Sequence, residues 1–237
     1  KKNYVIKLFK DGRLEELYKE SGNISTVKVP EDYLDLWKEI NLEIQNKKLN
    51  SAMIYNIDKR EDILNRLSKR AFYLTKVAQA FDCKKIAEVG TAEGWQYYTF
   101  CKYVDENHPE GNVSTCDPRD VRNKKYKSLY NSKKKFKFFN ATSLEMAMSC
   151  GKKDMFYVDG LHDEGTVLQD VYNLRGCQKE GEESVWVFDD FDVRFGCAND
   201  IMQLLSASAK FKVYKVGLTA SGKPSHQAIA IANYRLG

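Results

Sequence analysis

The sequence lacks the features that mark membrane proteins and disulfide-stabilised proteins. No apolar run approaches the roughly 18 residues that a membrane-spanning helix needs, and no hydrophobic signal-peptide region follows the basic start. The six cysteines form no C-x-x-C pair, so neither a zinc site nor a disulfide framework is indicated. Scattered thiols are typical of reduced intracellular proteins, and we expect a cytoplasmic protein. They are Cys83, Cys101, Cys116, Cys150, Cys177 and Cys197.

The chain also lacks internal repeats and low-complexity linkers. Its 237 residues are enough for one large domain or two small ones. It begins at Lys1 and not at a methionine, which suggests one domain of a longer polypeptide or the removal of a tag. We predict a main domain over 58–237 and an N-terminal extension over 1–57, acting as a lid, a dimer contact or the tail of a preceding domain. No oligomeric state follows from the sequence.

Positive charge is concentrated in one segment. The net charge is only +5, yet nine Lys and Arg residues and a single acid lie between Arg119 and Lys137. Such a segment can bind phosphate groups, as in RNA or a nucleotide-sugar, or it can be a solvated helix face. It contains no glycine, unlike many nucleic-acid surfaces, and we prefer the solvated face. Nucleic acid stays an alternative partner.

The pattern of the chain changes after residue 84. Before it, helical patterns follow Pro30 and Asp58, the second with a clear apolar stripe. After it, short apolar runs alternate with helical stretches, which indicates β-α units and a parallel sheet covered on both faces. The runs cover 85–90, 112–117, 136–140, 154–160 and 184–190.

Two further apolar runs, 211–217 and 226–234, close the chain. The link between them is too short for the crossover that parallel neighbours require, so they must pair antiparallel. The predicted fold is therefore an α/β, Rossmann-like sheet of five parallel strands plus a C-terminal antiparallel hairpin. Helices lie on both faces, and the N-terminal extension is helical.

The first predicted strand ends in EVGTAEG, residues 88–94. Ligands of open parallel sheets bind beyond the carboxyl ends of the strands. Gly90 and Gly94 let this turn approach a ligand closely, because a Cβ at either position would collide with it. Glu88 places a carboxylate where a pyrophosphate would be repelled. The turn therefore suits a cofactor with a cationic or amine-bearing end.

The next two strand ends offer groups for a nucleoside. Asp117 follows the second strand and can accept both hydroxyls of a ribose. After the third strand, Asn140 and a backbone N–H of the residues that follow can read an adenine edge. An adenosine without phosphate and with a positive tail describes S-adenosylmethionine. We predict that it is bound by Glu88, Gly90, Thr91, Ala92, Gly94, Asp117, Asn140, Ala141 and Thr142.

In the order of these strand ends and the final hairpin, residues 84–237 resemble the class I S-adenosylmethionine-dependent methyltransferases. YVDGLHDEGTVLQDVYNL followed by VWVFDDFD is similar to the group of macrocin O-methyltransferase and sugar O-methyltransferases, where a D-G-x-H-like turn precedes a D-D pair. One departure is Gln96-Tyr97, where relatives often carry Ser-Thr. The resemblance implies cofactor contacts at Glu88, Gly90, Gly94 and Asp117, and a divalent metal at Asp159, Asp189 and Asp190.

The residues themselves also favour a metal. The fourth and fifth strands should be neighbours about 4.8 Å apart, which brings Asp159, Asp189 and Asp190 into one pocket. Carboxylates this close raise one another's pKa unless a cation compensates. All-oxygen ligation favours a divalent cation, with Mg²⁺ first and Mn²⁺ or Ca²⁺ as the alternatives. The structural alternative is that one aspartate of the pair caps the following helix.

His162 is a candidate general base. It lies three residues after Asp159, where it would overlook the metal, and an ordinary histidine pKa of about 6.5 suits proton abstraction. The alternative is a structural histidine. We predict catalytic roles for His162 and Asp159.

Together these features predict an enzyme, a metal-assisted O-methyltransferase whose acceptor is a hydroxyl of a sugar or glycan. The sugar follows from the resemblance alone, and a catechol is the competing vicinal diol. Two alternatives remain open: an RNA methyltransferase that uses the 119–137 segment, and a cofactor-binding module without catalysis.

Overall fold

The structure is a computed structural model. It describes residues 82–122, 133–179, 181–182, 184–190, 195–198 and 200–201, with Leu74, Ala78 and Leu204, and the backbone of 212–220 and 223–232. The predicted extension over 1–57 lies outside these residues, so the division of the chain at residue 57 stays a prediction. Within the described part, no helix has the length and apolar character needed to cross a membrane.

Helices and strands alternate along the main domain. Their order is β1 (Lys85–Val89), α1 (Trp95–Asn107), β2 (Asn112–Cys116), β3 (Phe136–Phe139), α2 (Ser143–Ala147), β4 (Met155–Val158), α3 (Thr166–Leu174), a 3-10 turn (Arg175–Cys177), β5 (Ser184–Phe188), β6 (Lys212–Ala220) and β7 (Lys223–Ala232). Further helical residues occur at 74 and 78 and between 197 and 204.

The strands form one seven-stranded sheet in the order β3-β2-β1-β4-β5-β7-β6. Strands β1 to β5 are parallel, whereas β7 pairs antiparallel with both β5 and β6. The predicted five parallel strands and terminal hairpin are confirmed. The hairpin is tighter than predicted, because β6 runs to Ala220 and β7 begins at Lys223, inside the expected link. Since the strand order reverses between β1 and β4, a ligand is expected at their carboxyl ends.

Helices cover both faces of the sheet, as predicted. On one face, Trp186 of β5 stacks on Phe156 of β4 with ring centroids 4.1 Å apart, within a core that also contains residues of α2 and α3. On the other face, Phe100 of α1 meets the ring of Tyr157 at 6.0 Å. Each large apolar side chain buried in this way contributes about 1.5–3 kcal/mol.

Lys153, just before β4, is a charged residue inside this core. Its side chain is fully buried, and Nζ donates to Asn112 Oδ1 at 2.5 Å and to Ser114 Oγ at 2.8 Å. Burial lowers the pKa of Lys153 to about 8. Keeping Lys153 charged in the folded state therefore costs free energy of folding.

That cost makes the stability of the fold depend on pH. An unfolded lysine has a pKa of about 10.4, so between roughly pH 8 and 10.4 the unfolded chain binds more protons and the free energy of unfolding should rise with pH. Below this window both states are protonated and the buried charge costs on the order of 3 kcal/mol. Urea unfolding across the window should show a rise that Lys153→Met reduces. The exposed Lys134→Met is the control, and an identical rise in all three proteins would contradict the prediction.

Candidate active site

The turn after β1 has an unusual backbone. Gly90 and Gly94 both have φ of 90°, and Ala92 between them has φ of 45°. A Cβ added to Gly90 would lie 1.9 Å from the carbonyl oxygen of Asp159, whereas one added to Gly94 would lie 2.9 Å from the Tyr98 ring. Glycine is therefore required at position 90 because the turn packs against the end of β4. The sequence prediction had given contact with a ligand as the reason.

A buried carboxylate lies beneath this turn. Glu88 is almost fully buried, and its Oε2 accepts a hydrogen bond of 2.6 Å from the hydroxyl of Thr115 on β2. The Thr91 hydroxyl lies 2.6 Å from that of Thr115, so Thr91 must be the donor in this second contact. Thr115 was missed by sequence reasoning, although it is the register partner of Glu88 in the parallel pair. The chain of hydroxyls fixes the position of the Glu88 carboxylate.

Asp117 joins the β1 turn to the end of β2. Its Oδ2 accepts the N–H of Ala92 at 2.9 Å and its Oδ1 accepts the N–H of Arg119 at 2.9 Å. Each oxygen keeps a second lone pair, which is what a ribose hydroxyl requires. Glu93 lies nearby, and burial, with a smaller contribution from Asp117, raises the pKa of its carboxyl. The turn thus brings the acids Glu93 and Asp117 close together.

The predicted adenine residues follow β3 and lie next to Asp117. The Asn140 amide donates to the carbonyl oxygens of Asp117 and Pro118 at 3.2 and 2.8 Å, so both of its N–H groups are used within the protein. The Ala141 N–H also donates to the Asp117 carbonyl, at 3.1 Å. Thr142 begins α2, where its N–H and its hydroxyl donate to Glu145 at 2.9 and 3.0 Å. Residues 140–142 are therefore held in place by hydrogen bonds beside Asp117, next to the turn after β1.

The ends of β4 and β5 form a second cluster beside the turn. One ligand atom from each of Asp159, His162 and Asp190 lies within 4.8 Å of the other two. The His162 Nδ1 is 2.8 Å from Asp190 Oδ2, and Asp190 has φ of 52°. The structure thus brings together three of the four residues predicted for metal binding and proton transfer.

Asp189, the fourth of these residues, is held differently. It is buried, and its Oδ2 lies 3.0 Å from the Tyr157 hydroxyl, which lies 3.0 Å from Asp159 Oδ2 as well. One hydroxyl proton serves two carboxylates, so Tyr157 fixes the spacing of the acids at the ends of β4 and β5. Sequence reasoning missed Tyr157 because it lies in a buried strand, where an aromatic residue usually contributes only packing. Metal ligation by Asp189 stays a prediction.

Remote contacts position the loop that carries His162. The fully buried Asp200 accepts the N–H of Gly165 through both carboxylate oxygens, at 2.9 and 2.8 Å, and the N–H of Val167 at 3.1 Å. It thereby caps α3 from a distant part of the chain. The Cys197 N–H donates to the His162 carbonyl at 3.0 Å. These contacts fix both ends of the short loop between Asp159 and α3.

The environment of His162 favours its charged form. Its hydrogen bond to Asp190, followed by that to Cys197, raises the pKa of the imidazole to about 10. A general base must be neutral, so His162 suits that role only when the charge of Asp190 is compensated. A cation bound by Asp159 and Asp190 would supply this compensation.

The two clusters fit the two groups predicted from the sequence. Acids and hydroxyls line the β1 turn, as a cationic cofactor without phosphate requires. Two carboxylates within reach of one point can hold a divalent cation. If His162 is left free as a base, the ligands are all oxygens, as Mg²⁺ prefers; if it ligates, the site is a mixed oxygen and nitrogen site.

Comparison with known proteins identifies the class of this domain. Residues 87–191 match a protein family described as a methyltransferase domain. This match includes the turn after β1 and the acids after β4 and β5. The fold is that of the class I methyltransferases, and the family match covers the central part of the main domain, from within β1 to just after β5. No curated protein matches the chain in sequence.

Several solved structures share this fold at low sequence identity. The O-methyltransferase from Bacillus cereus, in complex with SAH, has a TM-score of 0.65 at 13% identity, with 92% of this chain and 99% of that chain covered. The Streptomyces achromogenes O-methyltransferase TomG, in complex with SAM, gives 0.63 at 12%, with 92% and 97% covered. A putative caffeoyl-CoA O-methyltransferase from Staphylococcus aureus gives 0.57 at 14%, with 81% and 91% covered.

Asp117 tests the cofactor assignment. Replacing it by Ala removes a charged acceptor and frees the N–H groups of Ala92 and Arg119, so the affinity for S-adenosylmethionine should fall by about 1–3 kcal/mol. Calorimetry on the folded variant measures this loss. Asp105→Ala removes a carboxylate from the surface of α1 and should leave the affinity unchanged. An unchanged affinity in Asp117→Ala would remove Asp117 from the cofactor site.

Proposed function

We propose that this chain is an O-methyltransferase that moves the methyl group of S-adenosylmethionine to a hydroxyl of a sugar or glycan, assisted by a divalent cation. The observation that carries the proposal is the cluster of Asp159, His162 and Asp190, whose ligand atoms lie within 4.8 Å of one another beside the cofactor turn. A hydroxyl must lose its proton to become a good nucleophile. The cluster offers two carboxylates that can bind a cation and a histidine that can take the proton.

The residues divide the work between the two clusters. Glu88, Asp117 and the 90–94 turn would hold and orient S-adenosylmethionine, which supplies an electrophilic methyl group. Asp159 and Asp190, with Asp189 beside them, would hold a divalent cation, whose Lewis acidity lowers the pKa of an acceptor hydroxyl. With the Nδ1–H of His162 donated to Asp190, Nε2 is the nitrogen that can take the acceptor's proton.

Support for a sugar acceptor comes from the D-G-L-H turn at 159–162 and the Asp189-Asp190 pair, the motifs that resemble sugar O-methyltransferases. A catechol offers the same pair of adjacent oxygens, and the Staphylococcus aureus structure of this fold is titled a putative caffeoyl-CoA O-methyltransferase. RNA is less well supported, because two lysines of the basic segment, Lys133 and Lys135, are paired with Asp105.

A panel assay tests the proposal. The protein is incubated with S-adenosylmethionine bearing a labelled methyl group, Mg²⁺, and either glycosides with vicinal hydroxyls, catechols or short RNA. Metal-dependent labelling of glycosides supports the proposal. Labelling of catechols alone would replace the acceptor class, and labelling of RNA alone would replace the reaction. Labelling of none of them, in protein that binds the cofactor, would contradict O-methylation of a vicinal diol.

A further inference from the structure

Two cysteines lie close together near the amino end of β4, whereas the candidate active site lies at its carboxyl end. Cys150 follows α2, and Cys177 ends the 3-10 turn after α3. Their sulfur atoms lie 3.6 Å apart, with Cys150 as the donor of the S–H···S contact. Cys177 is buried, while Cys150 is partly open to solvent. The two segments are 27 residues apart in sequence, so only the folded domain brings these sulfurs together.

The backbone around this pair is held in place by hydrogen bonds. The Lys153 N–H donates to the Cys177 carbonyl at 2.8 Å. The Lys152 ammonium donates to the carbonyl oxygens of Gly176 and Gln178, each at 2.9 Å, and so bridges the two segments. The sulfurs are therefore positioned before any reaction. A disulfide bond of about 2.0 Å requires the two sulfurs to approach further from this starting distance.

The surroundings favour a thiolate on one member of the pair. The hydrogen bond from Cys150 and the positive charges of Lys153 and Lys152 lower the pKa of Cys177. By contrast, burial raises the pKa of the Cys83 and Cys116 thiols and keeps them inert. Charge and geometry thus select Cys177 as the nucleophile and Cys150 as its resolving partner.

We propose that Cys150 and Cys177 form a reactive dithiol that hydrogen peroxide converts to a disulfide. The Cys177 sulfur attacks one peroxide oxygen, the O–O bond breaks, and the other oxygen leaves as water, which gives a sulfenic acid. The Cys150 sulfur then attacks Cys177, the S–O bond breaks, and a second water leaves with the remaining thiol proton. Two thiols are oxidised to one disulfide, and one hydrogen peroxide is reduced to two waters.

The bond would close a loop that contains β4, Asp159, His162 and α3. Cross-linking a loop of this length restricts the unfolded chain, so the oxidised protein should melt at a higher temperature, by roughly 5–10 °C. The proposal concerns a site outside the active-site clusters and does not depend on the reaction that the enzyme catalyses.

Peptide mapping tests the dithiol. Folded wild-type protein is treated with low hydrogen peroxide, the remaining thiols are blocked, and the digest is analysed by mass spectrometry with and without reductant. We expect a reducible cross-link between the peptides of Cys150 and Cys177 and a raised melting temperature. Cys83→Ser, which alters a buried thiol elsewhere, should form the same cross-link. In Cys150→Ser the reaction should stop at a Cys177 sulfenic acid, detected with a dimedone probe.

Three results would overturn the proposal. One is folded wild-type protein without the cross-link under conditions that oxidise a free thiol peptide. Another is a cross-link that joins other cysteines. The third is oxidation of Cys177 directly to sulfinic acid in the wild type. The mapping of wild-type protein decides the matter even if a serine variant fails to fold.

Discussion

Asp190→Asn should lower the rate of methyl transfer by roughly 10²–10³-fold while leaving the affinity for S-adenosylmethionine nearly unchanged. An amide binds hard cations less well than a carboxylate, and a bound cation supplies several kcal/mol of charge stabilisation, or roughly 10²–10³-fold in rate. Asn tolerates the positive φ of Asp190, so the backbone should stay in place. The predicted cofactor contacts lie at the ends of β1, β2 and β3, away from Asp190, which is why binding should survive.

Chelation separates the two roles of Asp190, which pairs with His162 as well as facing the cluster. Excess chelator should stop the wild-type enzyme without disturbing that pair, and added Mg²⁺ or Mn²⁺ should restore it. Asp163→Asn, which changes an exposed acid on the loop that carries His162, is the control and should remain active. Full activity of wild type in chelator, together with active Asp159→Asn and Asp190→Asn variants, would make these acids structural.

His162→Ala should lower the rate by about 10²–10⁴-fold, the range for loss of a positioned general base. The variant should still bind the metal with its original affinity, measured by calorimetry, because a base is not a ligand. Its rate should also lose the pH dependence that comes from ionisation of the imidazole.

The control for this variant is His108→Ala, at the end of α1, where the ring bonds the Tyr103 hydroxyl at 2.9 Å. It should keep wild-type activity. If His162→Ala instead loses metal affinity in proportion to its rate, His162 is a ligand, and the proton must be taken by another group.

Much of the fold could be predicted because each buried parallel strand appears in the sequence as a short continuous apolar run. Short apolar runs located β1 to β5, and the acids at the ends of β1, β2, β4 and β5 could be assigned to one edge of the sheet. The parts that were missed depend on contacts between distant residues. Thr115 looks like an ordinary strand threonine until its neighbour is known to be Glu88. Asp200 accepts the N–H of Gly165, the residue just before α3 and 35 residues earlier, a separation that no local sequence pattern reveals.

Gly90 illustrates the same limit. The sequence predicted that a glycine is needed at position 90. The structure gives the reason, because the carbonyl of Asp159 after β4 occupies the space that a Cβ would take. Local sequence shows that a turn needs glycine, but it does not show which atoms occupy the space of the missing side chain.

The contact between Gly90 and Asp159 also bears on how acceptor specificity can change. Two main-chain hydrogen bonds flank it, from the Gly90 N–H to the Cys116 carbonyl at 3.0 Å and from the Asp159 N–H to the Val89 carbonyl at 2.9 Å. The offset between the turn after β1 and the end of β4 is thus set by backbone contacts, so side-chain replacements at other positions of the site should leave it unchanged. Engineering toward larger or smaller acceptors therefore has to act on the 161–165 loop and on surfaces further from the sheet.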